Sequence, residues 1–456
     1  MKWYLALICL VASLGGFLFG FDTAVISGTV EHVREQFQIG DLWVGWFTSS
    51  ALVGCVFGAM SAGYLGDKFG RKPILILSAI LFFISAFGST FPPSFTMLLT
   101  ARFVGGLGVG LASVLSPMYI SEFAPPKVRG RLVALYQLSI VIGILIAYFS
   151  NWYLQKQAGS AMVVSTSGIA NWVFKAEVWR AMFGAEMFPA LAFGLLLLIV
   201  PRSPRWLVLA GKDDWALRVL GRLSPLPQAE KELHAIEESL REKKGGIREL
   251  FKPGLRTALM IGVGLSVFGQ LSGVNIVVYY GPTIIKNVGY TLDSAMQFQV
   301  ALGLINLVFT VIALFLIDKI GRKALLVGGM IIVALSMLTS GIVLAINPAP
   351  GLVIIILLGI YMASIALSIS AVIWVIIPEI YPNHIRGRAA SIATLANWGT
   401  NAMSAYLFPW YVGVAGIHTG FITFGVICII GTLFFIKYVP ETKGKSLEEI
   451  ALFFRR

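Results

Sequence analysis

The sequence predicts an all-α membrane protein with twelve transmembrane helices in two pseudo-symmetric six-helix bundles. Composition is the first reason, since the 456 residues are 57% hydrophobic and only 12% charged. That is too apolar for a water-exposed surface of this size. The second reason is that apolar runs of about 20 residues, long enough to cross a bilayer, recur along the chain. They lie at 4–28, 42–65, 74–91, 96–120, 132–154, 180–200, 257–281, 296–317, 324–346, 351–377, 389–411 and 416–438.

The third reason is a set of polar turns that recurs in the second half of the chain in the same order. The matching turns are GYLGDKFGRK at 63–72 with LIDKIGRK at 316–323, SEFAPPKVRGR at 121–131 with PEIYPNHIRGR at 378–388, and VPRSPRWL from Val200 with VPETKG from Val439. Parallel repeats of this kind are related by an axis along the membrane normal. They predict a solute site between the halves near the middle of the bilayer.

The repeat divides the chain into an N-terminal six-helix bundle at 1–201 and a C-terminal one at 257–440. The polar segment 202–256 joins them. Its apolar residues recur at helical spacing on one side, which predicts a cytoplasmic helical linker. Residues 441–456 are expected to form a cytoplasmic tail.

The formal charge of +13 reflects topology rather than a nucleic-acid partner. With the N-terminus inside, almost all Lys and Arg residues fall in cytoplasmic loops. The exceptions are Arg34, Lys156, Lys175, Arg180 and Lys286, which fall outside, and Arg102, which lies within a span. This distribution follows the positive-inside rule and places both termini in the cytoplasm. The loops contain no Asn-x-Ser/Thr sequon, which favours the cytoplasmic (inner) membrane of a bacterium.

The sequence shows no constellation for enzymatic chemistry, a metal or a cofactor. Cys9, Cys55 and Cys428 all lie within spans, where they are packing residues rather than disulfide or metal partners. The four histidines show no ligand spacing. GGLGVG at 105–110 has the glycines of a dinucleotide loop, but it lies within a span and follows no strand. We therefore expect a protein that is not an enzyme and uses no cofactor.

Three ionisable side chains lie well inside predicted spans: Asp22, Arg102 and Glu186. At about 1.5 Å per residue, each is roughly 9 Å below the outer end of its span. Charges at membrane depth are energetically expensive and mark functional sites. An acid beside a guanidinium gives up its proton more readily than one alone in an apolar site, so movement of Arg102 relative to Asp22 would bind or release a proton. A purely structural Asp22–Arg102 pair is the alternative, but it leaves Glu186 without a second cation.

Uncharged hydrogen-bonding and aromatic side chains occupy the middle of other spans. They are Gln137, Gln270, Asn275, Tyr279, Tyr280, Asn306, Trp374, Asn397, Trp398 and Asn401. Amides supply donors and acceptors, and aromatic faces cover the apolar side of a ring. An ionic solute would require opposing charge, and a lipophilic one would require fewer amides. As a set these residues favour a neutral sugar or polyol, although any one of them alone also suits interhelical bonding or packing.

The repeated turns also carry acids and bases that are suited to pair across the two halves. They are Asp67, Arg71, Glu122 and Arg129 in the first half and Asp318, Arg322, Glu379 and Arg386 in the second. Such pairs would close the cytoplasmic side and break when it opens, which is a two-state element that alternating access requires.

These motifs resemble the sugar porter family of the major facilitator superfamily over nearly the whole chain, most closely its bacterial proton-coupled xylose symporters. The matching residues are Asp67, Gly70, Arg71 and Lys72 with their repeat, Pro117, Tyr119, Glu122, Arg129 and Gly130, Pro201, Ser203, Pro204 and Arg205, Gln270-Leu-Ser-Gly-x-Asn275 and Pro440-Glu-Thr-Lys-Gly444. The resemblance implies proton coupling by Asp22, Arg102 and Glu186. It implies sugar contacts by Phe19, Gln137, Gln270, Asn275, Tyr279, Asn306, Trp374 and Trp398, to which the polar set adds Asn397.

The resemblance implies proton-coupled uptake of a xylose- or glucose-like sugar by alternating access, and we expect a monomer in the bilayer. Facilitative carriers of the family typically have Asn where this chain has Asp22, in agreement with the electrostatic interpretation. Two alternatives remain open. A facilitative uniporter of the same fold would use Asp22 and Arg102 only structurally. A non-transporting sugar sensor is disfavoured because sensors of this family carry long cytoplasmic tails, and 441–456 is a short one.

The chain departs from the family pattern in three places. Gly269 precedes Gln270 where the family usually has two adjacent glutamines, which removes an amide from the predicted pocket. Ser370-Ala371 stands where Gly-Pro usually precedes Trp374, which predicts a helix that bends less. Arg202 replaces the Glu of Pro-Glu-Ser-Pro-Arg, which weakens one expected cytoplasmic ion pair.

Overall fold

The computed structural model describes residues 2–125, 128–159, 168–241, 246–346 and 350–443. These residues form α-helices joined by short turns, and no strand occurs among them. The predicted tail beyond Lys443 lies outside the described residues. The helices are α1 (Lys2–Phe37), α2 (Asp41–Phe69), α3 (Arg71–Thr90), α4 (Phe95–Phe123), α5 (Arg129–Ala158), α6 (Ile169–Asn171), α7 (Trp179–Gly184), α8 (Met187–Ile199), α9 (Pro204–Leu209), α10 (Asp213–Leu220), α11 (Leu226–Arg241), α12 (Leu255–Leu271), α13 (Val274–Asn287), α14 (Leu292–Ile320), α15 (Arg322–Leu344), α16 (Gly351–Leu367), α17 (Ile369–Glu379), α18 (Asn383–Ala415) and α19 (Ile417–Tyr438). A π-helical turn (Trp172–Ala176) follows α6, and a 3₁₀ turn (Ile247–Phe251) precedes α12.

Among the described residues, 11 helices or consecutive helix pairs are long and apolar enough to cross a bilayer. They cover every predicted span except 389–411. That span is α18, a helix of 33 residues. It is less apolar because it contains Asn397, Asn401, Arg386 and Arg388. Together with α18, the predicted spans are all present as helices, and the all-α membrane fold is confirmed.

Two predicted spans are divided at the level of the charged and polar side chains. The span 180–200 consists of α7 and α8, with Glu186 as the N-cap of α8. The span 257–281 consists of α12 and α13, which meet at Gly273 with a φ of +87°. A left-handed residue of this kind is tolerated because glycine has no Cβ. Divided helices are typical of transporters, where the exposed backbone ends face a solute site.

The span 351–377 is also divided, and whether it bends less than in other members of the family stays a prediction. α16 and α17 meet at Ser368, which has φ −115° and ψ −84°. The Ser368 hydroxyl donates to the carbonyl of Ser364 at 2.5 Å. This bond back to the preceding turn offers the backbone an alternative to continued helix, so the interruption does not require the Gly-Pro pair.

The chain divides into two compact units. Unit 1 contains Met1–Thr23, Val53–Ala147 and Arg180–Lys243, and unit 2 contains Ala24–Leu52, Tyr148–Trp179 and Lys244–Arg456. Each of α1, α2 and α5 therefore contributes one end to unit 1 and the other end to unit 2. The predicted boundaries of bundles and linker stay a prediction.

Glycines let the helices of unit 1 approach closely. A Cβ added to Gly20 of α1 would lie 2.0 Å from the carbonyl oxygen of Ile140 in α5. A Cβ on Gly54 of α2 would lie 2.2 Å from the carbonyl oxygen of Phe103 in α4. Any side chain here would push the backbones apart, so these glycines set the spacing of the four helices in the middle of the unit.

The repeated turns have the same backbone conformation in both halves. Gly70 precedes α3 with φ +97° and ψ 155°, and Gly321 precedes α15 with φ +107° and ψ 157°. The following helices also pack alike, since α3 lies along α4 and α8 while α15 lies along α16 and α19. The internal repeat read from the sequence is thus present in the structure.

Candidate functional site

The middle of unit 1 contains a buried ion pair. Asp22 of α1 and Arg102 of α4 are 0% and 2% exposed, and Arg102 Nη1 donates to Asp22 Oδ1 at 2.6 Å. Arg102 Nη2 also donates to the backbone carbonyl of Asp22 at 3.2 Å. The guanidinium carbon lies 5.3 Å from the centre of the Phe183 ring. A buried pair needs such additional contacts, because each partner alone would be an uncompensated charge in a low dielectric.

Glu186 is the third charged group at this site. It is fully buried at the N-cap of α8, and its electrostatic neighbours are Asp22 and Arg102. The structure therefore brings together the three ionisable side chains whose common depth was predicted. Their roles in proton coupling stay a prediction at this stage.

Several polar atoms of this site have no hydrogen-bond partner among the described residues. They are Asp22 Oδ2, Arg102 Nε and, with both acids ionised, the two carboxylate oxygens of Glu186. With a proton on one of the acids, Glu186 and Asp22 hydrogen-bond to each other. A buried polar atom left unpaired costs about 1–3 kcal/mol. Two acids and one guanidinium leave one acid without a counter-ion, and a buried acid in that position is neutralised by a proton. The arrangement can therefore hold one exchangeable proton.

Unit 2 contains a cluster of amides that bond to one another. Gln270 Nε2 of α12 donates to Asn397 Oδ1 of α18 at 2.8 Å, and Asn275 Nδ2 of α13 donates to Gln270 Oε1 at 2.6 Å. One turn further along α18, Asn401 Nδ2 donates to the Tyr279 hydroxyl at 3.1 Å. The bonds fix the direction in which each amide points. Among the contacts of the described residues, Asn397 Nδ2 and Asn275 Oδ1 remain available to a solute.

The other predicted sugar contacts are distributed over both units. In unit 2, Asn306 of α14 and Trp398 of α18 are buried, whereas Trp374 of α17 is 43% exposed. In unit 1, Phe19 of α1 and Gln137 of α5 are half-buried. Burial alone does not show whether a side chain contacts a solute, so the sugar assignments stay predictions.

The glycine that replaces a family glutamine is tightly packed. A Cβ on Gly269 would lie 2.5 Å from Cδ1 of Ile373 in α17. Atoms that close must shift apart, so the side chain of Ile373 occupies the space in which a residue at 269 would begin. The removed amide is thus replaced by an apolar contact between α12 and α17.

The predicted cytoplasmic acids and bases of unit 1 form a local cluster. Arg71 pairs with Asp67 at 3.0 Å and with Glu122 at 2.9 Å. Glu122 also accepts a hydrogen bond from the Ser203 hydroxyl. Arg129 donates to the backbone carbonyl five residues earlier at 3.3 Å. These contacts join the ends of α2, α3 and α4 to the start of α9.

Unit 2 repeats this cluster. Arg322 pairs with Asp318 at 3.0 Å and with Glu379 at 3.5 Å, and the Thr442 hydroxyl donates to Glu379 at 2.6 Å. Arg386 donates to the carbonyl five residues earlier at 3.3 Å. All of these ion pairs lie within one unit. Pairing across the two halves stays a prediction.

The two repeated turns differ at the position of Arg202. Its repeat partner, Glu441, accepts the first two N–H groups of α15 at 3.0 and 3.1 Å and so caps that helix. Burial acts to raise the pKa of Glu441, but the backbone N–H groups of Lys443, Arg322, Lys323 and Thr442 together lower it. Arg202 instead lies over the rings of Trp206 and Trp215, at 5.1 and 5.6 Å. A guanidinium has no acceptor, so Arg202 cannot cap α3 in the way that Glu441 caps α15.

Sequence reasoning missed the contacts that hold α13 within unit 2. Lys286 pairs with Glu31 of α1 at 2.7 Å. Pro282 lies inside α13 and lacks an N–H, which frees the carbonyl of Val278. The Tyr148 hydroxyl of α5 donates to that carbonyl at 3.2 Å. The proline could have indicated that the freed carbonyl has a partner. The ion pair joins residues far apart in the chain, so no local sequence pattern indicates it.

The comparisons with known proteins agree with this geometry. A family described as "Sugar (and other) transporter" matches residues 8–454. The arabinose-proton symporter of Bacillus subtilis is 41% identical over 448 residues, which cover 98% of this chain and 94% of that protein. The D-xylose-proton symporter of Escherichia coli is 39% identical over 483 residues, which cover 98% of this chain and 95% of that protein.

Solved structures of the xylose transporter XylE from E. coli match the whole fold. The partially occluded inward-open conformation has a TM-score of 0.85 and 37% identity, and covers 97% of this chain and 99% of that one. The proton:xylose symporter XylE bound to 6-bromo-6-deoxy-D-glucose has a TM-score of 0.79 and 37% identity, with 99% of each chain covered. These relatives are transporters and not enzymes. With its divided helices, buried charges and amide cluster, the chain belongs to the sugar transporter family of the major facilitator superfamily.

Proposed function

We propose that the protein is a proton-coupled sugar symporter that works by alternating access. The observation that carries this proposal is the buried Asp22–Arg102 pair at 2.6 Å, with Glu186 beside it. Solute binding alone does not require three buried charges with unpaired oxygens. The names of the relatives, arabinose-proton and D-xylose-proton symporter, support the same function.

Proton exchange follows from the position of the guanidinium. While Arg102 is bonded to Asp22, the pair is neutral and needs no proton. When a conformational change moves Arg102 away, the buried carboxylate of Asp22 loses its counter-ion and becomes neutral by taking up a proton. Return of Arg102 displaces that proton. Glu186 is a neighbouring acid that can hold it during the exchange.

One proton is sufficient to drive useful accumulation. A charge that crosses 100 mV gains about 2.3 kcal/mol, which corresponds to roughly fifty-fold accumulation of a neutral solute. Coupling requires that sugar and proton cross together, so the conformational change that releases the proton must be the one that releases the sugar.

The proposed sugar is a neutral pentose or hexose, similar to xylose, arabinose or glucose. Asn275 and Asn397 each offer an amide atom to a hydroxyl, and Gln270 holds the two in register. The rings of Trp374 and Trp398 are suited to cover the C–H face of the sugar. Phe19, Gln137, Tyr279 and Asn306 are proposed as further contacts.

We further propose that the protein lies in the cytoplasmic (inner) membrane of a bacterium as a monomer, surrounded by lipid, with both termini in the cytoplasm. The distribution of Lys and Arg supports this orientation. The ion-pair clusters of Arg71 and Arg322 then lie on the cytoplasmic side, where their opening and closing would gate the solute.

The test uses purified protein in sealed vesicles without an ion gradient. Added xylose or arabinose should acidify the vesicle lumen, as read by a trapped pH indicator, while sorbitol at equal osmolarity should not. A flat pH trace with measurable counterflow exchange of labelled sugar would decide for a facilitator. Sugar binding without any exchange would decide for a sensor.

A further inference from the structure

Two buried hydroxyls of α3 lack partners next to the charged site. Ser85 and Ser89 are each 1% exposed, and neither hydroxyl is hydrogen-bonded among the described residues. Other buried hydroxyls of α3 are bonded, since Ser78 donates to a carbonyl of α4 at 2.8 Å and Thr90 to the carbonyl one turn earlier at 2.7 Å. The hydroxyl of a serine in a helix commonly donates to a carbonyl of the preceding turn. Ser85 and Ser89 therefore require a different partner.

Ser85 lies beside Asp22. A Cβ added to Gly105 of α4 would be 2.3 Å from Ser85 Oγ and 3.6 Å from Asp22 Oδ1. The two oxygens are therefore no farther apart than those two distances together. One water molecule bridges two oxygens that are up to about 5.6 Å apart, with two hydrogen bonds of about 2.8 Å each. Glycine at 105 leaves room for the Ser85 hydroxyl beside Asp22, because a side chain there would collide with that hydroxyl.

Ser89 continues this line from Ser85 toward the C-terminal end of α3. Residues four apart share a helix face and are separated by about 6 Å along the axis. The next residue, Thr90, ends the helix. A Cβ on Gly184, two residues before Glu186, would lie 3.1 Å from Thr90 Oγ1. The two hydroxyls thus extend from beside Asp22 to the end of α3, where Thr90 lies against Gly184.

We infer that Ser85 and Ser89 hold a chain of water molecules that carries the proton between the end of α3 and Asp22. This inference rests on the proposed proton coupling. Each hydroxyl accepts a hydrogen bond from one water and donates its own to the next, so a proton passes along the chain and no serine is left charged. Buried water is common where polar groups have no protein partner. Asp22 receives the proton, and Glu186 shares it through the side-chain hydrogen bond between the two acids.

Charged and titratable groups from several helices face this route. Asp22, Arg102 and Glu186 lie at one end, and the thiol of Cys55 on α2 is within electrostatic range of Asp22. At the other end, Arg180 Nη1 donates to the backbone carbonyl of Thr90 at 3.0 Å. The serines themselves do not titrate. They are positioning residues, because they hold the water and do not store the proton.

The experiment compares the Ser85→Ala/Ser89→Ala variant with the wild type in vesicles. We expect sugar-driven proton uptake to slow by roughly 25-fold, at about fivefold for each of the two hydrogen-bonded links lost. The solvent deuterium isotope effect on uptake should rise, because proton delivery becomes rate-limiting. Counterflow exchange of labelled xylose needs no net proton movement and should stay at the wild-type rate. Ser89→Thr keeps its hydroxyl and should behave as the wild type.

Ser78→Ala is the matched control, since it removes a buried hydroxyl that is already bonded on the same helix. It should lower the unfolding temperature without slowing proton uptake. An unchanged proton rate in the double alanine variant would overturn the inference, as would equal slowing by Ser78→Ala. Exchange at the wild-type rate shows that each variant is folded. If the wild type takes up no protons with sugar, the symport proposal itself fails, which is a different outcome.

Discussion

Each unit buries a set of polar side chains, and the two sets differ in how completely their hydrogen bonds are formed. In unit 1, with both acids ionised, Asp22, Arg102 and Glu186 leave four polar atoms without partners among the described residues. In unit 2, Gln270, Asn275 and Asn397 bond to one another in a directed chain. The first site is charged and incompletely satisfied, and the second is neutral and internally satisfied.

With the roles proposed above, this difference separates the two cargoes. A site that lacks partners changes its protonation when its surroundings move, which suits a proton. A site with fixed amides keeps its geometry and offers a few remaining donors and acceptors, which suits a hydroxylated ring. Coupling therefore does not require sugar and proton to touch, because each site needs only to sense the same conformational change.

The largest expected effect comes from neutralising the charged site. Asp22→Asn keeps the shape and one acceptor for Arg102 but cannot carry a proton. Accumulation in energised vesicles should fall from about fifty-fold to none, while counterflow exchange persists. Asp41→Asn is the control, because Asp41 pairs with Arg34 at 2.8 Å at an exposed position. Concentrative uptake by Asp22→Asn would refute the role of Asp22.

The next effect is on stability and also concerns the charged site. Arg102→Met should lower the free energy of unfolding by about 3–5 kcal/mol, because it leaves a buried carboxylate without its counter-ion. Adding Asp22→Asn to it should restore most of the loss. Thermal unfolding in detergent provides the measurement. Equal unfolding temperatures for Arg102→Met and the wild type would mean that the pair is not isolated from water.

A smaller effect is expected in the amide site. Gln270→Ala leaves Asn397 Oδ1 and Asn275 Nδ2 without their mutual partner, so sugar affinity should weaken by about 1–3 kcal/mol. Equilibrium binding of labelled sugar measures it. Gln228→Ala is the control, because Gln228 bonds Glu232 at 3.2 Å on the exposed α11. Unchanged affinity in Gln270→Ala would move the sugar site elsewhere.

The smallest effect should come from one hydroxyl at the edge of that site. Tyr279→Phe removes the acceptor of Asn401 Nδ2, and sugar affinity should drop by about 1 kcal/mol, or roughly fivefold. Tyr280→Phe is the matched control, because its hydroxyl donates to a backbone carbonyl at 2.9 Å. If both variants weaken binding equally, Tyr279 acts through packing and not through Asn401.

Much of the fold follows from one-dimensional patterns. Apolar runs predict the spans, and the repeated turns predict two similar halves, which agrees with the equal backbone conformations of Gly70 and Gly321. The breaks at Gly273 and Ser368 were not predicted, because a glycine or serine inside an apolar run is compatible with either a continuous or a divided helix. Only packing against neighbouring helices decides between them.

The charged site was predictable from the depth of its residues in the membrane. Asp22, Arg102 and Glu186 share a level in the membrane, so they meet. The direction of the amide chain was not predictable, because it depends on which helices are neighbours and which way each amide is turned. The same holds for Lys286 and Glu31, whose contact at 2.7 Å joins distant parts of the chain.

The contact between Gly269 and Ile373 has a consequence for protein engineering. Because a Cβ at 269 would lie 2.5 Å from Ile373 Cδ1, glutamine at 269 requires the end of the Ile373 side chain to shift. Gly269→Gln combined with a shorter side chain at 373 should therefore be tolerated better than Gly269→Gln alone.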